Sequence, residues 1–419
     1  MKTRAVRLYG KNNLHTEEFE LPQIKEDELL VKVMTDSICM STYKAVIQGS
    51  DHKRVPDDIA ENPVMMGHEF AGIIVEVGEK LKDQFVTGQH FALQPTLNYK
   101  GTLWAPGYSF PYYGGACTYC IVPHQAVEMG CILPYSGESY FEASLGEPIS
   151  CIIAAYKSNY HTSTKNYDHT MGIKEGGNVL ILGGCGPMGL GAISYALAMK
   201  KGPGRVVVTE INENRLENAR MMLSEQEAAE RGIELYYVNT AAIEDPVAVL
   251  MEITGGHGYD DVFLFAPVKA LAEMGDRLLA YDGCYNIFAG PSDASFSANI
   301  NLYNCHYGAA HLMGASGGRT EDMVEAVRLI EDRQVKASVM VTHIGGLDCY
   351  AETVKNLPTI PGGKKLIYTQ IDMPLTAIED FEKLGKTDEL FAQLDCSCKA
   401  HGGLWNAEAE RILLDHYQV

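Results

Sequence analysis

The amino-acid sequence predicts an α/β protein in which a β-rich domain accompanies a doubly wound parallel-sheet domain. The first third of the chain holds short runs of apolar and β-branched residues, which are typical of strands. From about Gly177 onward, strand-like runs alternate with helix-like runs, as in parallel sheets with helices on both faces. The length of 419 residues is too great for one ordinary hydrophobic core and fits two domains.

The individual elements follow from these patterns. In the first third, the predicted strands are ELLVKVMTDSIC, FAGIIVEVGE and GQHFAL. The alternating region then predicts, in chain order, the strand NVLILGG, the helix GLGAISYALAMKKG, the strand RVVVTE, the helix INENRLENARMML, the strand ELYYVN, the helix AAIEDPVAVLMEITGG, the strand YDDVFLFA, the helix VKALAEMGDRLLA, and the strands GCYNIFAG and AAHLMGASGG. After Gly318 the alternation ends, TEDMVEAVRLIEDRQV predicts an amphipathic helix, and GGKKLIYTQ predicts a last strand that returns to the first domain.

Three segments result from this organisation. We expect residues 1–157 to begin the β-rich domain, residues 158–318 to form the parallel-sheet domain, and residues 319–419 to return to the first domain and add a helical C-terminal extension. The extension carries acids with Leu and Phe at helical spacing. It either packs on the first domain or forms an oligomer contact, and its sequence does not separate the two.

Composition limits the partners and the compartment. A formal net charge of −20 argues against nucleic acid and anionic membranes, because both bind basic surfaces. The 11 cysteines are scattered without a disulfide framework, and no apolar signal core follows Met1. No run approaches the roughly 20 apolar residues of a membrane span. We therefore expect reduced thiols in a cytoplasmic protein.

A glycine-rich turn predicts a dinucleotide site. ILGGCGPMGLG places Gly184, Gly186 and Gly189 between a strand and a helix, with Pro187 and Met188 inside the motif. The first glycine permits a tight turn, the second lets the backbone approach a pyrophosphate, and the third lets helix and strand pack closely. The phosphates then rest on the helix N-terminus.

The next strand carries the signal for the nucleotide type. Glu210 closes that strand, where a carboxylate accepts hydrogen bonds from the adenosine ribose and repels a 2′-phosphate. This favours NAD(H). Arg215 lies one helical turn into the next segment and could receive a phosphate, so NADP(H) stays open.

Four side chains suggest a metal site. Cys39 ends a strand-like run, His68 and Glu69 follow about thirty residues later, and Glu147 precedes a proline. A thiolate, an imidazole and one or two carboxylates make a plausible catalytic zinc set with an open position. Each piece also has an ordinary interpretation, since a lone cysteine is usually a small buried apolar residue and Glu-Pro is often only a loop.

In that order and at those spacings, Cys39, Gly67-His68-Glu69, Glu147-Pro148 and the glycine-rich turn resemble the zinc-dependent medium-chain dehydrogenases. The resemblance extends to about residue 372. It implies a Rossmann domain in the middle segment and a GroES-like catalytic domain in the flanking ones. It also implies one catalytic zinc and a homo-oligomer, either a dimer or a tetramer.

The resemblance assigns expected roles to the metal-site residues. His68 is expected to be a zinc ligand beside Cys39. Glu69 either binds the zinc directly or supports the site from behind, and the choice between Glu69 and Glu147 as third ligand stays open. Glu147 stands where alcohol dehydrogenases proper place a second cysteine, and a glutamate there resembles the polyol branch of the family.

Proton transfer is expected to involve Ser41, which matches the family's hydroxyl relay. Lys44 stands where several relatives have a histidine, so it could complete the relay, bind phosphate or simply be exposed. In the family, zinc polarises the ketone or lowers the pKa of the alcohol while hydride passes to or from the nicotinamide.

Cys117 and Cys120 form a C-x-x-C pair that invites a structural zinc. No second pair lies nearby, and the segment GGACTYCIVP matches an ordinary strand of the family, in which alternation would turn the two thiols to unsuitable faces. We expect no structural zinc.

Within the family, the closest resemblance is to the L-sorbose-1-phosphate reductase subgroup. It rests on TDSICMSTYK, QGSDHKRVPDD, PGYSFPYYGG, SNYHTSTKNYDHTMGI and GLWNAEAERILL. It implies reversible reduction of a ketose 1-phosphate to a hexitol phosphate. His52, Lys53 and Arg54 are the nearest candidates for the phosphate pocket, although a solvated charge run is an equally good interpretation.

Two rival functions remain at this point. One is a dehydrogenase of an unphosphorylated polyol or secondary alcohol with the same zinc and nucleotide. The other is a dinucleotide-binding protein without turnover, which the complete set of Cys39, Ser41, His68, Glu69 and Glu147 argues against.

Overall fold

The computed structural model describes residues 1–163 and 165–419, which divide into two compact units. The first unit consists of Met1–Pro148, Arg319–Arg333 and Met340–Val419, and the second consists of Ile149–Gly318 and Gln334–Val339. The predicted domain boundaries stay a prediction; residues 149–157 belong by their contacts to the second unit. Among the described helices, none has both the length and the apolar character needed to cross a membrane.

The first unit is built on two sheets. Its strands are β1 (Lys2–Gly10), β2 (Asn13–Glu20), β3 (Leu29–Ile38), β4 (Val64–Met65), β5 (Phe70–Val77), β6 (His90–Leu93), β7 (Tyr119–Val122), β8 (Ile132–Pro134), β17 (Val341–Gly346), β18 (Lys364–Tyr368) and β19 (Thr376–Ala377). The larger sheet has the order β19-β17-β18-β3-β5-β6-β8, with β7 also paired to β3, and the smaller one has the order β2-β1-β4. Strand β3 is central and almost wholly buried, which explains its continuous apolar sequence.

Helices of the first unit cover these sheets. They are α1 (Met40–Gln48), α2 (His124–Glu128), α3 (Tyr140–Ser144), α11 (Thr320–Glu331), α12 (Tyr350–Asn356), α13 (Phe381–Leu384), α14 (Glu389–Ala400) and α15 (Ala407–Tyr417). A further helix, α4 (Gly146–Ser158), begins in the first unit and continues into the second.

The C-terminal extension packs on the first unit. Trp405 is fully buried, and its indole N–H donates to the Tyr368 hydroxyl at 2.8 Å. The Glu410 carboxylate accepts hydrogen bonds from the backbone N–H of Tyr140 at 2.6 Å and of Phe141 at 3.0 Å, and from the Tyr368 hydroxyl at 2.8 Å. Of the two roles that the sequence left open, packing is present; an oligomer contact stays a prediction.

The second unit is a parallel sheet of the doubly wound type. Its strands are β11 (Asn178–Leu182), β12 (Arg205–Glu210), β13 (Glu234–Asn239), β14 (Tyr259–Leu264), β15 (Leu279–Ile287) and β16 (His311–Gly314), in the order β13-β12-β11-β14-β15-β16 with every pairing parallel. The helices are α5 (Pro187–Ala198), α6 (Glu213–Met222), α7 (Glu225–Glu230), α8 (Pro246–Ile253), α9 (Lys269–Asp276) and α10 (Leu302–Gly308). The α/β fold class predicted from the sequence is confirmed.

Some elements differ from their predictions. The helix predicted over 241–256 begins only at Pro246, because Asp245 accepts a hydrogen bond from the Ala248 N–H at 3.1 Å and caps it there. The hairpin of β9 (Tyr160–Thr162) and β10 (His169–Met171) was not predicted. Position 164 of the SNYHTSTKNYDHTMGI stretch lies outside the described residues.

Candidate functional site

Strand β3 ends beside the candidate metal site and positions Cys39 there. Cys39 follows the buried end of β3 and directly precedes α1, so its half-buried thiol projects from a rigid junction. The Ser41 hydroxyl, in the first turn of α1, lies 3.0 Å from the Cys39 sulfur and donates to it. Burial and the nearby Glu69 carboxylate raise the pKa of the Cys39 thiol. A divalent cation would reverse this shift, because it stabilises the thiolate.

Gly67, whose backbone is in the left-handed region, positions His68 and Glu69. Gly67 has φ +87°, and a Cβ there would lie 2.4 Å from Asp36 Oδ2 and 2.5 Å from the Ala116 nitrogen. Only glycine therefore fits this turn. The turn is held by a hydrogen bond of 3.0 Å from the Glu69 N–H to Asp36 Oδ1, which fixes His68 and Glu69 at the start of β5.

Cys39, His68 and Glu69 come together as the sequence predicted. Each offers a ligand atom, and these atoms lie within 4.8 Å of one another. The His68 ring is oriented by Thr42, whose hydroxyl lies 3.3 Å from Nδ1, while Nε2 lies 3.2 Å from the Ser41 hydroxyl. A thiol, an imidazole and a carboxylate at this separation fit the ligand chemistry of zinc.

Glu69 is also paired with a residue that the sequence did not reveal. The Lys364 ammonium lies 2.6 Å from Glu69 Oε1 and also bonds Oε2, and the Ser37 hydroxyl donates to the same carboxylate. Burial alone would raise the pKa of Glu69, but the charge of Lys364, the nearby His68 and the hydrogen bonds from Lys364 and Ser37 together outweigh it, and the net pKa is lowered. The available signal was the pair of lysines that opens the otherwise apolar strand KKLIY.

Glu147 lies near this group in the first turn of α4 and is buried. Burial, and to a smaller extent the charge of Glu69, raise its pKa to about 8 against the opposing influence of His68. These influences place the carboxyl close to the metal-site residues. It does not belong to the set whose ligand atoms lie within 4.8 Å of one another.

Tyr108 is a second site residue that sequence reasoning missed. It is buried, and its hydroxyl donates to Ser41 Oγ at 2.9 Å and lies 3.5 Å from His68 Nε2. A signal was present in Gly107, whose φ is +78° and whose Cβ would lie 2.5 Å from the Gly67 carbonyl oxygen. The APGYS loop therefore packs directly on the turn that carries His68.

Two of the three candidate phosphate residues contact Tyr108. The imidazole of His52 stacks on its ring at 5.3 Å with an interplanar angle of 11°, and the Arg54 guanidinium carbon lies 5.7 Å from the ring centroid. Lys53 between them is exposed. Burial, together with the nearby positive charges of Arg54, Lys53 and Lys44, lowers the pKa of His52 to about 4, so the imidazole is neutral near pH 7. Lys44, half-buried on α1, thus belongs to the same electropositive region.

The glycine-rich turn has the geometry that a dinucleotide needs. A Cβ on Gly189 would lie 2.2 Å from the Gly184 carbonyl oxygen, and one on Gly184 would lie 2.6 Å from Val208. A Cβ on Gly186 would instead meet no protein atom within 4 Å, and Gly186 is the residue that precedes Pro187 and Met188 at the start of α5. Two glycines are thus required for packing, and the third leaves open space beside a helix N-terminus.

Glu210 ends β12 as predicted. Its Oε1 accepts from the backbone N–H groups of Ile211 at 2.9 Å and Asn212 at 3.3 Å. The exposed Arg215 lies 4.0 Å from Oε2 and is therefore close enough to pair with Glu210.

Cys117 and Cys120 lie in the apolar core of the first unit, and both are fully buried. Burial raises the pKa of the Cys117 thiol well above its usual range. The number of zinc ions stays a prediction.

Together, the parallel-sheet unit with its glycine-rich turn and the donor set of the first unit define a zinc-dependent oxidoreductase that uses a nicotinamide nucleotide. Comparisons with known proteins agree with this class. The model of the zinc-binding dehydrogenase family matches residues 187–332, and that of the alcohol dehydrogenase GroES-like domain matches residues 25–130.

Two curated relatives cover nearly the whole chain. Mannitol-1-phosphate 5-dehydrogenase of Aliivibrio fischeri is 49% identical over 100% of this chain and 99% of its own length. L-sorbose 1-phosphate reductase of Klebsiella pneumoniae is 43% identical over 99% of this chain and 98% of its own length. The crystal structure of 2R,3R-butanediol dehydrogenase from Bacillus subtilis has the same fold, with a TM-score of 0.70 and 22% identity over 87% of this chain and 99% of that one. The chain belongs to the zinc-dependent medium-chain dehydrogenases and is an NAD(P)-dependent enzyme of the alcohol and polyol dehydrogenase type.

Proposed function

We propose that the protein interconverts a ketose 1-phosphate, such as L-sorbose 1-phosphate, and its sugar alcohol phosphate, with NAD(H) as hydride carrier. The observation that carries this proposal is the positively charged Arg54 guanidinium, with the neutral His52 imidazole beside it, on the ring of Tyr108. The hydroxyl of the same tyrosine bonds Ser41 beside the metal ligands. The Arg54 guanidinium is therefore separated from the candidate metal ligands only by the Tyr108 side chain, at a place where it could bind a substrate phosphate.

In this proposal Cys39, His68 and Glu69 hold the zinc, because their ligand atoms are already gathered. Glu147, whose pKa responds to Glu69, His68 and Cys39, is the alternative carboxylate ligand. The zinc, when bound, supplies a Lewis acid for the carbonyl or alcohol oxygen. Ser41 supplies or receives the proton, since its hydroxyl lies 3.2 Å from His68 Nε2 and 3.0 Å from the Cys39 sulfur. Lys44 in the electropositive region completes either the relay or the phosphate pocket.

The nucleotide site is proposed to favour NAD(H). Glu210 is nearly buried and has one oxygen fixed by two backbone N–H groups, so its charge is held at the end of β12. A carboxylate held there accepts ribose hydroxyls and repels a 2′-phosphate. Arg215 could offset this repulsion, so NADP(H) is the alternative outcome of the experiment below.

The names of the two relatives refine the choice of substrates. One is named for oxidation at carbon 5 of mannitol 1-phosphate, and the other for reduction of L-sorbose 1-phosphate. The two names place the phosphate at different distances from the reacting carbon. Both substrate pairs therefore belong in the first experiment.

Initial rates of the zinc-loaded enzyme test the proposal. L-sorbose 1-phosphate is compared with L-sorbose under NADH and NADPH, and mannitol 1-phosphate with mannitol under NAD+ and NADP+. We expect a kcat/KM at least tenfold higher for a phosphorylated sugar and for the non-phosphorylated nucleotide. Equal rates with free and phosphorylated sugars would refute the phosphate assignment and favour a free polyol. Arg54→Ala should raise the KM for the sugar phosphate strongly, and Lys53→Ala, at an exposed member of the same candidate set, should raise it less. Lys82→Ala, which removes an exposed charge paired with Glu79, serves as the charge-matched control.

Compartment and assembly complete the proposal. All eleven cysteines are free thiols, as suits a reducing cytoplasm. We propose a homo-oligomer, which sedimentation or light scattering of the purified protein would test.

A further inference from the structure

Tyr108 has two chemically different ends, and each contacts a different part of the site. Its hydroxyl donates to Ser41 Oγ at 2.9 Å and lies 3.5 Å from His68 Nε2. One ring face is stacked with the His52 imidazole, and the Arg54 guanidinium carbon is 5.7 Å from the ring centroid. The Tyr108 side chain therefore lies between the His52 and Arg54 side chains and the Ser41 hydroxyl.

The hydroxyl end fixes the direction of the Ser41 hydrogen. Ser41 has one proton, which it donates to the Cys39 sulfur at 3.0 Å. The Tyr108 O–H then occupies an acceptor position of Ser41 Oγ. Without this donor, the Ser41 hydroxyl would lose one of the bonds that orient it.

The ring end is itself held in place. Tyr108 is 3% exposed, and Ser109 beside it donates from its hydroxyl to the Arg54 carbonyl at 2.7 Å while accepting from the Ala105 N–H at 3.1 Å. The loop that carries Tyr108 thus also braces the backbone of Arg54. The distance from His52 and Arg54 to Ser41 is therefore set by the packing of this loop.

We propose that Tyr108 is the specificity-determining residue of this site. Its ring sets the distance between the phosphate-binding pair and the reacting carbon, and its hydroxyl positions Ser41. The ring role rests on the proposed phosphorylated substrate, whereas the hydroxyl role rests only on the proposed proton transfer through Ser41. A sugar whose phosphate and carbonyl match this distance is turned over with preference, and a sugar without phosphate uses only the hydroxyl end.

Two substitutions test the hydroxyl and the ring of Tyr108 separately. Tyr108→Phe removes the hydroxyl and keeps the ring, so kcat should fall about tenfold, the loss expected for one hydrogen bond, on phosphorylated and free sugars alike. The KM for the sugar phosphate should stay unchanged. Tyr108→Leu removes the ring as well, and the ratio of kcat/KM between phosphorylated and free sugar should fall at least tenfold.

Controls guard against simple loss of structure. Tyr113→Phe removes another buried tyrosine hydroxyl, one that has no hydrogen-bond partner among the described residues, and it should behave as wild type. Binding of inorganic phosphate, measured by isothermal titration calorimetry, gives a readout besides turnover: it should persist in Tyr108→Phe and weaken in Tyr108→Leu. Arg54→Ala combined with Tyr108→Leu should be less than additive if both act on the same phosphate.

The outcomes are distinct. Loss of phosphate preference in Tyr108→Phe, or wild-type preference in Tyr108→Leu, would overturn the ring role. An unchanged kcat in Tyr108→Phe would overturn the hydroxyl role. A wild-type enzyme without any preference for phosphorylated sugars would refute the proposed function and the ring role together, while the kcat of Tyr108→Phe on the free sugar would still decide the hydroxyl role.

Discussion

At the scale of single residues, the buried ion pair between Lys364 and Glu69 is expected to affect stability strongly. The two side chains are 6% and 1% exposed, so neither charge has water available to replace its partner. Burial alone would lower the pKa of Lys364, but the Glu69 carboxylate reverses this effect and the net pKa is raised. Removing one member leaves the other as an isolated buried charge.

We therefore expect Lys364→Met to lower the free energy of unfolding of the metal-free protein by about 3–5 kcal/mol, measured by urea denaturation. Lys364→Arg keeps the charge and should recover much of this loss. Lys82→Ala breaks an exposed pair with Glu79 and should change stability by less than about 1 kcal/mol. Equal effects of the Lys364→Met and Lys82→Ala substitutions would contradict the role of burial.

The sequence revealed site residues only where a local pattern marked them. Cys39, His68 and Glu69 stand in recognisable motifs, and the structure brings their ligand atoms together. Lys364 and Tyr108 reach the same place from segments far away in the chain. Their proximity depends on the pairing of β18 with β3 and on the contact of two glycine turns, neither of which local periodicity encodes.

At the scale of elements, the turn between β11 and α5 contains one glycine that is needed for packing and another that leaves space for a ligand. Gly189 allows the helix to touch the turn, whereas Gly186 faces space that no protein atom occupies within 4 Å of an added Cβ. Both are glycines in the same motif, but for different physical reasons.

This difference predicts opposite effects of two alanine substitutions. Gly186→Ala should change stability by no more than about 1 kcal/mol, since its φ of −84° suits alanine, yet weaken NADH binding at least tenfold. Gly189→Ala forces backbone atoms apart and should cost about 1–3 kcal/mol or more. Thermal unfolding and NADH fluorescence titration measure the two effects. Tight NADH binding by Gly186→Ala would show that phosphates do not approach there.

Strands and helices with strong periodicity were predicted well, because their burial follows from their own sequence. The six strands of the parallel sheet match apolar runs found in the sequence. The C-terminal extension was predicted as helical, but its place was not. Its anchors, Trp405 and Glu410, bind Tyr368 and the start of α3, and such long-range partners leave no periodic signal.

At the scale of the whole molecule, Glu410 links stability to pH. Burial raises its pKa to about 7, above the ordinary value of 4.5, although the hydrogen bond from Tyr368 lowers it. Between these two values the unfolded chain has lost the proton that the folded protein keeps. The free energy of unfolding therefore falls as pH rises from about 4.5 to 7.

Glu410→Gln removes this titration. We expect wild type to lose more stability than the variant between pH 5.5 and pH 7.5, as measured by urea denaturation at both values. The variant is less stable overall, because its amide cannot accept every hydrogen bond that the carboxylate accepts. Glu408→Gln, on the exposed side of the same helix, should keep the wild-type pH dependence. Identical pH slopes for wild type and Glu410→Gln would refute the assignment.

The interleaving of the two units has a consequence for biosynthesis. Strand β3 is made early, but its neighbour β18, with Lys364, is translated only after the whole parallel sheet of the second unit. While the parallel sheet is being translated, the end of β3 at residues 35–38 therefore lacks its β18 partner, and Glu69 lacks its counter-ion, although residues 29–32 of β3 already have β7 available. The second unit can therefore be completed before the first, and the unpaired end of β3 stays exposed until residue 368 has been translated.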